Sequence, residues 1–260
     1  MGLIVCPDSN KAAVCLADHL QQALIEKPDL CLGLAAGSTS GLAYCELVRR
    51  YHTNKNLTFR YATSFNTDEF LEISPDDPRS VRYFMNTSLF KLVDFPLEHT
   101  HVPRGDVPDP DQECRAYDAL IKARGGLDLV VLGLGHNGHI GFNEPGSTAR
   151  SRTRVVGFTE STMAALSDGR RFHNLDETPS AALTMGLSTI LQSRHILLIA
   201  TGIGKRLAVH KMFDCKPGSN LPASHLLNHP RLTVIVDRDA AAALKSPSME
   251  VTYVADARLD

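Results

Sequence analysis

The sequence predicts an α/β fold, a three-layer α/β/α sandwich around a doubly wound, mostly parallel, Rossmann-like sheet. Three observations carry that expectation. Short apolar runs recur along the 260 residues, the stretches between them repeat apolar residues every three or four positions, and glycine-rich loops follow several of the runs. A hydrophobic content of 43% supports a substantial core, and no break in composition marks a second unit. Residues 1–260 are therefore expected to form one domain.

Taken in order, the expected strands are Leu30 to Leu34, Phe59 to Thr63, Leu127 to Leu132, Ile196 to Ala200 and Leu232 to Val236. The expected helices are Lys11 to Ile25, Gly41 to Tyr51, Gln112 to Ala123 and Lys205 to Phe213. Two segments interrupt the rhythm. Residues 100–111, with Pro103, Pro108 and Pro110, read as a stiff surface connection. Residues 145–179 are polar and rich in Arg, Ser and Thr, and read equally as a mobile lid or a static helical excursion.

Charge and cysteine usage exclude several classes. A formal net charge of -2 leaves no overall basic field for nucleic acid or an anionic membrane. No apolar run approaches the roughly 20 residues needed to cross a bilayer. Six scattered cysteines without a C-x-x-C pair, and no signal peptide at the start, point to free thiols and a cytoplasmic protein.

The densest chemistry lies in LVVLGLGHNGHIGFNEPGS, where an apolar strand runs into a loop carrying His136, Asn137, His139 and Glu144. In open α/β sheets the carboxyl ends of the strands form the ligand crevice, so these groups point to proton transfer on a small polar molecule. Gly133, Gly135 and Gly138 satisfy G-x-G-x-x-G, but Gly141, Pro145 and Gly146 follow where a dinucleotide fold needs a helix. A zinc site is disfavoured because the spacing is not H-E-x-x-H. The first strand ends in LGLAAGSTS, whose backbone N–H groups and Ser38 and Thr39 hydroxyls can surround a phosphate or merely form a capped turn. In TGIGK, Lys205 opens a helix, a placement that a bound anion would favour. Asp68 and Glu69 follow another strand, and one of them is a candidate base; the ordinary alternative is a solvated acidic turn.

Together LGLAAGSTS, SFNTDEF, GLGHNGHIGFNEPGS and TGIGK resemble, in order and over nearly the whole chain, the glucosamine-6-phosphate deaminase family, which includes glucosamine/galactosamine-6-phosphate isomerases. The related 6-phosphogluconolactonases share the fold, but the continuation GFNEPGS resembles the deaminases. The resemblance implies a hydrolase of amino-sugar catabolism that converts glucosamine 6-phosphate and water to fructose 6-phosphate and ammonia, without metal or organic cofactor. It implies that His139, supported by Asn137 and Glu144, assists ring opening and that Asp68 moves the proton between C2 and C1. It assigns the substrate phosphate to Gly37, Ser38, Thr39, Arg171 and Lys205. A galactosamine-6-phosphate deaminase or isomerase, or a catalytically silent sugar-phosphate sensor, would keep many of the same residues. A homo-oligomer is compatible with the family and leaves no mark in the sequence.

The departures matter. Asn137 stands where some members carry aspartate, so Glu144 is expected to supply more of the electrostatic support to His139. Ala36 and Ser40 replace the common Thr and Pro of the phosphate loop. Some members are activated by N-acetylglucosamine 6-phosphate through an arginine and a lysine two positions later; here the pair is Arg154 and Val156.

Overall fold

The computed structural model describes residues 1–168, 171–218, 220–244 and 250–255. In chain order its principal elements are β1 (Gly2–Cys6), α1 (Ser9–Glu26), β2 (Cys31–Leu34), α2 (Ser38–Thr53), β3 (Thr63–Asn66), β4 (Asp68–Phe70), α3 (Val81–Ser88), β5 (Thr100–His101), α4 (Pro110–Ala123) and β6 (Leu129–Gly133). There follow β7 (Arg154–Gly157), α5 (Glu160–Leu166), β8 (Ala181–Thr184), α6 (Leu187–Leu191), β9 (His195–Ala200), α7 (Arg206–Asp214), β10 (Leu232–Asp237), α8 (Arg238–Ala241) and β11 (Glu250–Tyr253).

Eight strands form one sheet in the order β11-β1-β10-β9-β6-β2-β3-β5, with every pairing parallel. Period-two alternation divides its side chains between two cores. Leu129 and Val131 of β6 join Leu16, Leu20, Tyr44 and Leu47 of α1 and α2, whereas Val130 and Leu132 join Tyr117, Ile121, Val209 and Met212 of α4 and α7. This makes the three-layer α/β/α sandwich. Burial on both faces explains why β6, β9 and β10 read as unbroken apolar runs. The chain runs outward from β2 through β3 to β5, then returns to place β6 on the other side of β2. The carboxyl ends of β2 and β6 therefore flank the topological switch point, where such sheets open a ligand crevice.

A second, antiparallel sheet, β4-β8-β7, lies outside the predicted architecture. Its register sets Asp68 opposite Thr184. One predicted strand is corrected. Residues 59–62 form a turn and β3 begins only at Thr63. The apolar signal of Phe59 is real, but it comes from packing against Tyr51 and Phe95. Lys205 does open a helix, through a single 3₁₀ turn at Ile203–Lys205 before α7. Residues 145–179 are not one element. They contain β7 and α5, while Gly169 and Arg170 lie outside the described residues. Among the described residues, no helix is long and apolar enough to cross a membrane.

Candidate active site

At the switch point a crevice of about 320 Å³ collects residues from four loops: Gly37, Ser38 and Thr39 after β2, Asp68 at the start of β4, His139 after β6 and Lys205 after β9. Arg171, Ala165 and Leu166 complete the wall from the segment that follows β7. Seven of the nine sequence-predicted site residues thus line one cavity. Asn137 and Glu144 do not; they stand behind His139. Among the described residues, a larger open groove of about 1230 Å³ between α4 and α6 has Asp118 as its only acidic or imidazole group. It lacks the acid-base set of the smaller crevice.

The β2 loop is braced from beneath. The Ala35 carbonyl accepts from the Ser40 hydroxyl (2.9 Å) and the Tyr44 hydroxyl (2.7 Å), and Ser40 Oγ accepts from the Gly37 amide at 3.1 Å. Ser40 is thus a strut of the loop, and Ser38 and Thr39, in the first turn of α2, line the crevice. The Thr39 and Thr201 hydroxyl oxygens, 3.4 Å apart, tie this loop to the one preceding Lys205. Opposite them, the Arg171 guanidinium lies 5.4 Å from the ring centroids of both Phe70 and Phe84. Burial depresses the Arg171 pKa, against the opposing charges of Asp68 and Glu69.

The structure separates the two adjacent carboxylates. Consecutive strand residues face opposite ways, so Asp68 enters the crevice while Glu69 turns to the start of α3. There Glu69 accepts from the Val81 amide (2.8 Å), the Arg82 amide (2.9 Å) and the Phe70 amide (2.9 Å). Glu69 is thus a helix cap. Asp68 is buried and accepts from the Thr67 hydroxyl at 2.8 Å. Burial pushes its carboxyl up to about 6, and the Thr67 hydrogen bond and the Arg171 and His139 charges only partly oppose that. Gly141, at φ +56°, lets the β6 loop pass beside it; a side chain there would meet Thr184 Oγ1 at 3.0 Å and Asp68 Oδ2 at 3.4 Å.

Behind His139 sits a polar cluster. Asn137 does not hold the imidazole. Its Oδ1 accepts from the His139 backbone amide at 3.1 Å, and its Nδ2 donates to Glu144 Oε2 at 2.6 Å and to Thr159 Oγ1 at 3.1 Å. Glu144 Oε2 is 3.7 Å from His139 Nδ1, beyond hydrogen-bond reach. The close partner of Nδ1 is Thr162 Oγ1, at 3.2 Å. Burial alone would raise the Glu144 carboxyl, but the neighbouring His139 imidazole and the hydrogen bond from Asn137 hold it below its ordinary value. Sequence reasoning missed Thr159 and Thr162. Thr159 is the N-cap of α5, and that capping pattern was the only available signal. His136 is exposed and is not among the residues lining the crevice.

Arg154, the arginine that the resemblance relates to activation in some members, is engaged within the chain. Arg154 donates to Ser147 Oγ at 2.7 Å, Asn143 Oδ1 at 3.0 Å and the Arg152 carbonyl at 3.1 Å.

Comparison with known proteins places the chain in a family. Residues 9–235 match the family model of glucosamine-6-phosphate isomerases/6-phosphogluconolactonase. A glucosamine-6-phosphate deaminase of Geobacillus sp. (strain WCH70) is 41% identical over 251 residues, covering 96% of this chain and 99% of that protein. Glucosamine-6-phosphate deaminase 1 of Bacillus subtilis (strain 168) is 40% identical, covering 93% and 99%. The structure of a monomeric glucosamine-6-phosphate deaminase superposes with a TM-score of 0.91 at 39% identity, covering 94% of this chain and all of that one. A 6-phosphogluconolactonase from Trypanosoma brucei, at 19% identity and a TM-score of 0.74, shares the fold. The chain belongs to the glucosamine-6-phosphate isomerase/6-phosphogluconolactonase family.

Proposed function

We propose that the protein is a glucosamine-6-phosphate deaminase, converting glucosamine 6-phosphate and water to fructose 6-phosphate and ammonia. The observation that carries this reading is the pairing, in one crevice, of a buried carboxylate and an imidazole with a braced anion-binding loop and two cations. The roughly 40% identity to named deaminases over more than nine-tenths of the chain supports it.

The chemistry follows from the arrangement. The loop at Gly37, Ser38 and Thr39, with Lys205 and Arg171, holds the phosphate, converting binding into orientation of the distant C1 and C2 atoms. His139 takes the proton of the anomeric hydroxyl and returns it to the ring oxygen, opening the pyranose. Asp68 then carries the C2 proton to C1 while a proton passes from the amino group to O1, leaving an imine at C2 and a hydroxyl at C1. Water hydrolyses that imine to the ketone and releases ammonia. Residues 145–179 remain the candidate lid, and Ala165, Leu166 and Arg171 from that segment line the crevice. Within it, the Phe158 and Phe172 rings both pack on Phe70, with centroids at 6.2 and 5.1 Å.

Ammonia release from purified protein given glucosamine 6-phosphate, beside galactosamine 6-phosphate, tests the reading. Release from the gluco sugar is expected; release from the galacto sugar alone would reassign the substrate, and sugar-phosphate binding without ammonia would make the protein a sensor. Asp68 must be ionised to act as a base. With its pKa at about 6, kcat/KM is expected to fall about tenfold per pH unit below that value and to level above it, read from a pH profile of the free enzyme. Adding N-acetylglucosamine 6-phosphate is expected to leave substrate half-saturation unchanged. Val156 supplies no charge there, and Arg154 is committed to Ser147 and Asn143. A several-fold fall in half-saturation would refute this.

A further inference from the structure

Thr67 sits at the bend where the chain leaves β3 and enters β4, and its backbone is bonded to both sheets. Its amide donates to the Leu34 carbonyl of β2 at 3.0 Å, and its carbonyl accepts from the Met185 amide, just after β8, at 2.6 Å. The bend interrupts strict alternation, so the side chains of Thr67 and Asp68 meet although the residues are adjacent. Thr67 is buried, and its hydroxyl donates to Asp68 Oδ2 at 2.8 Å. The direction of this bond is fixed chemically, because an ionised carboxylate only accepts. Gly141 closes on the same oxygen: a methyl group there would lie 3.4 Å from Asp68 Oδ2 and 3.7 Å from Thr67 Cβ. Oδ2 is therefore engaged, whereas among the described residues no group donates to Oδ1.

We infer that Thr67 is a positioning residue that holds Asp68 Oδ2 in place and leaves Oδ1 as the oxygen that carries the proton from C2 to C1. This rests on the deaminase reading for its kinetic consequence but not for its effect on ionisation. A hydroxyl donor binds a carboxylate more strongly than the neutral acid, so the same bond opposes the burial that drives Asp68 toward its neutral form. The other titratable groups facing the carboxylate act separately. Arg171 and His139 favour its charge, the adjacent Glu69 carboxyl opposes it, and burial keeps the Tyr44 and Tyr117 phenols neutral. Each of these remains when only the Thr67 hydroxyl is removed, and the backbone bonds to β2 and Met185 keep the bend in place.

The test uses Thr67→Val, which removes the hydroxyl and keeps the shape of a buried side chain, Thr67→Ala, which removes it with less bulk, and Thr67→Ser, which retains it. In the Val and Ala variants the acid limb of kcat/KM should move upward by about one pH unit from its wild-type midpoint of about 6. On the alkaline plateau, where the carboxyl is ionised in every variant, kcat should fall about 3- to 10-fold with KM within about twofold, because the base is no longer held in place. Thr67→Ser should keep both limb and plateau close to wild type. Carbon-13 NMR titration of the Asp68 carboxyl in the ligand-free protein should show the same upward move in the Val and Ala variants and none in the Ser variant. An unmoved limb or an undiminished plateau in both hydroxyl-free variants overturns the proposal, as does an equal loss of kcat in all three variants, which a purely structural role predicts. The NMR arm needs no substrate. If the wild-type protein releases no ammonia, the deaminase reading fails while the carboxyl titration still tests the hold of Thr67 on Asp68.

Discussion

Replacing Asp68 with asparagine is expected to abolish turnover and to stabilise the protein at the same time. A correctly placed base contributes about 10²- to 10⁴-fold, and the amide cannot take a proton from C2, so ammonia release should fall by that factor or more. Substrate binding should survive, since the phosphate is held by other groups in the crevice. The stability effect has the opposite sign. Burial lifts the folded-state pKa of Asp68 to about 6 from an ordinary value near 3.8, so ionising it within the fold is unfavourable. Stability tied to this group is therefore full below about pH 4 and is lost as pH rises through about 6. At pH 8 the difference corresponds to roughly 3 kcal/mol, and asparagine, neutral at every pH, does not carry it. Asparagine keeps an oxygen that accepts from Thr67, so no buried donor is orphaned. The melting temperature of Asp68→Asn should exceed that of the wild type by about 5 °C or more at pH 8, with the gap closing toward pH 4. A lower melting temperature at pH 8 would mean that Asp68 is held as a structural anion, and its assignment as the base would fall.

Glu69 supplies the contrast. Burial lifts its carboxyl to about 7 against the three amides that favour its charge, yet those amides belong to α3 and β4 and not to the crevice. From the residues alone Asp68 and Glu69 are equal candidates for the base, and only the family resemblance selects Asp68. Recognising even a three-residue strand there would have separated them, since its alternation sends only one into the crevice. The same blindness hid the antiparallel sheet. β4, β7 and β8 have three or four residues each, and β7 carries Arg154 at its start and Gly157 at its end, so no apolar run announces them. The large parallel sheet was legible where strands are buried on both faces, at β2, β6, β9 and β10. It was silent at β1, an inner strand with a mixed burial pattern that the expected strands omit, and at its margins, where β5 has two residues and β11 is largely exposed. The crevice residues were legible for a different reason. Glycine-rich loops at strand ends concentrate functional groups within a few positions, whereas Thr162 meets His139 across 23 residues and acts through a hydroxyl that any helix surface carries. Local patterning reports periodicity and turns; long-range hydrogen bonds leave no periodic trace.

Gly135→Ala is expected to disable His139 without unfolding the protein. A methyl group at this position would lie 2.4 Å from His139 Cδ2 and Nε2 and 2.5 Å from Cε1, far inside van der Waals contact, because the imidazole rests on the glycine Cα. The backbone cannot give way easily, since the Gly135 amide donates to the His139 carbonyl at 2.9 Å and the Gly135 carbonyl accepts from Gly138. The ring must therefore swing aside. Its rotation breaks the 3.2 Å contact of Nδ1 with Thr162 and carries the imidazole out of its place in the crevice, so the position of the proposed base is lost. A fall in kcat of about 10²-fold or more follows, with KM changing little because the phosphate contacts are untouched. Stability should change little, for the displaced group is the end of a partly exposed side chain. Two other glycines bracket the result. At Gly157, exposed on β7, a methyl would find its nearest neighbour at 4.0 Å, so Gly157→Ala should keep wild-type turnover and melting temperature. At Gly105 the methyl would press on the Phe70 carbonyl, a backbone atom with nowhere to move, and Gly105→Ala should lower the melting temperature steeply. If Gly135→Ala retained wild-type kcat, the imidazole edge lying on this glycine would not be the working edge of the base, and ring opening would have to be assigned to another group in the crevice.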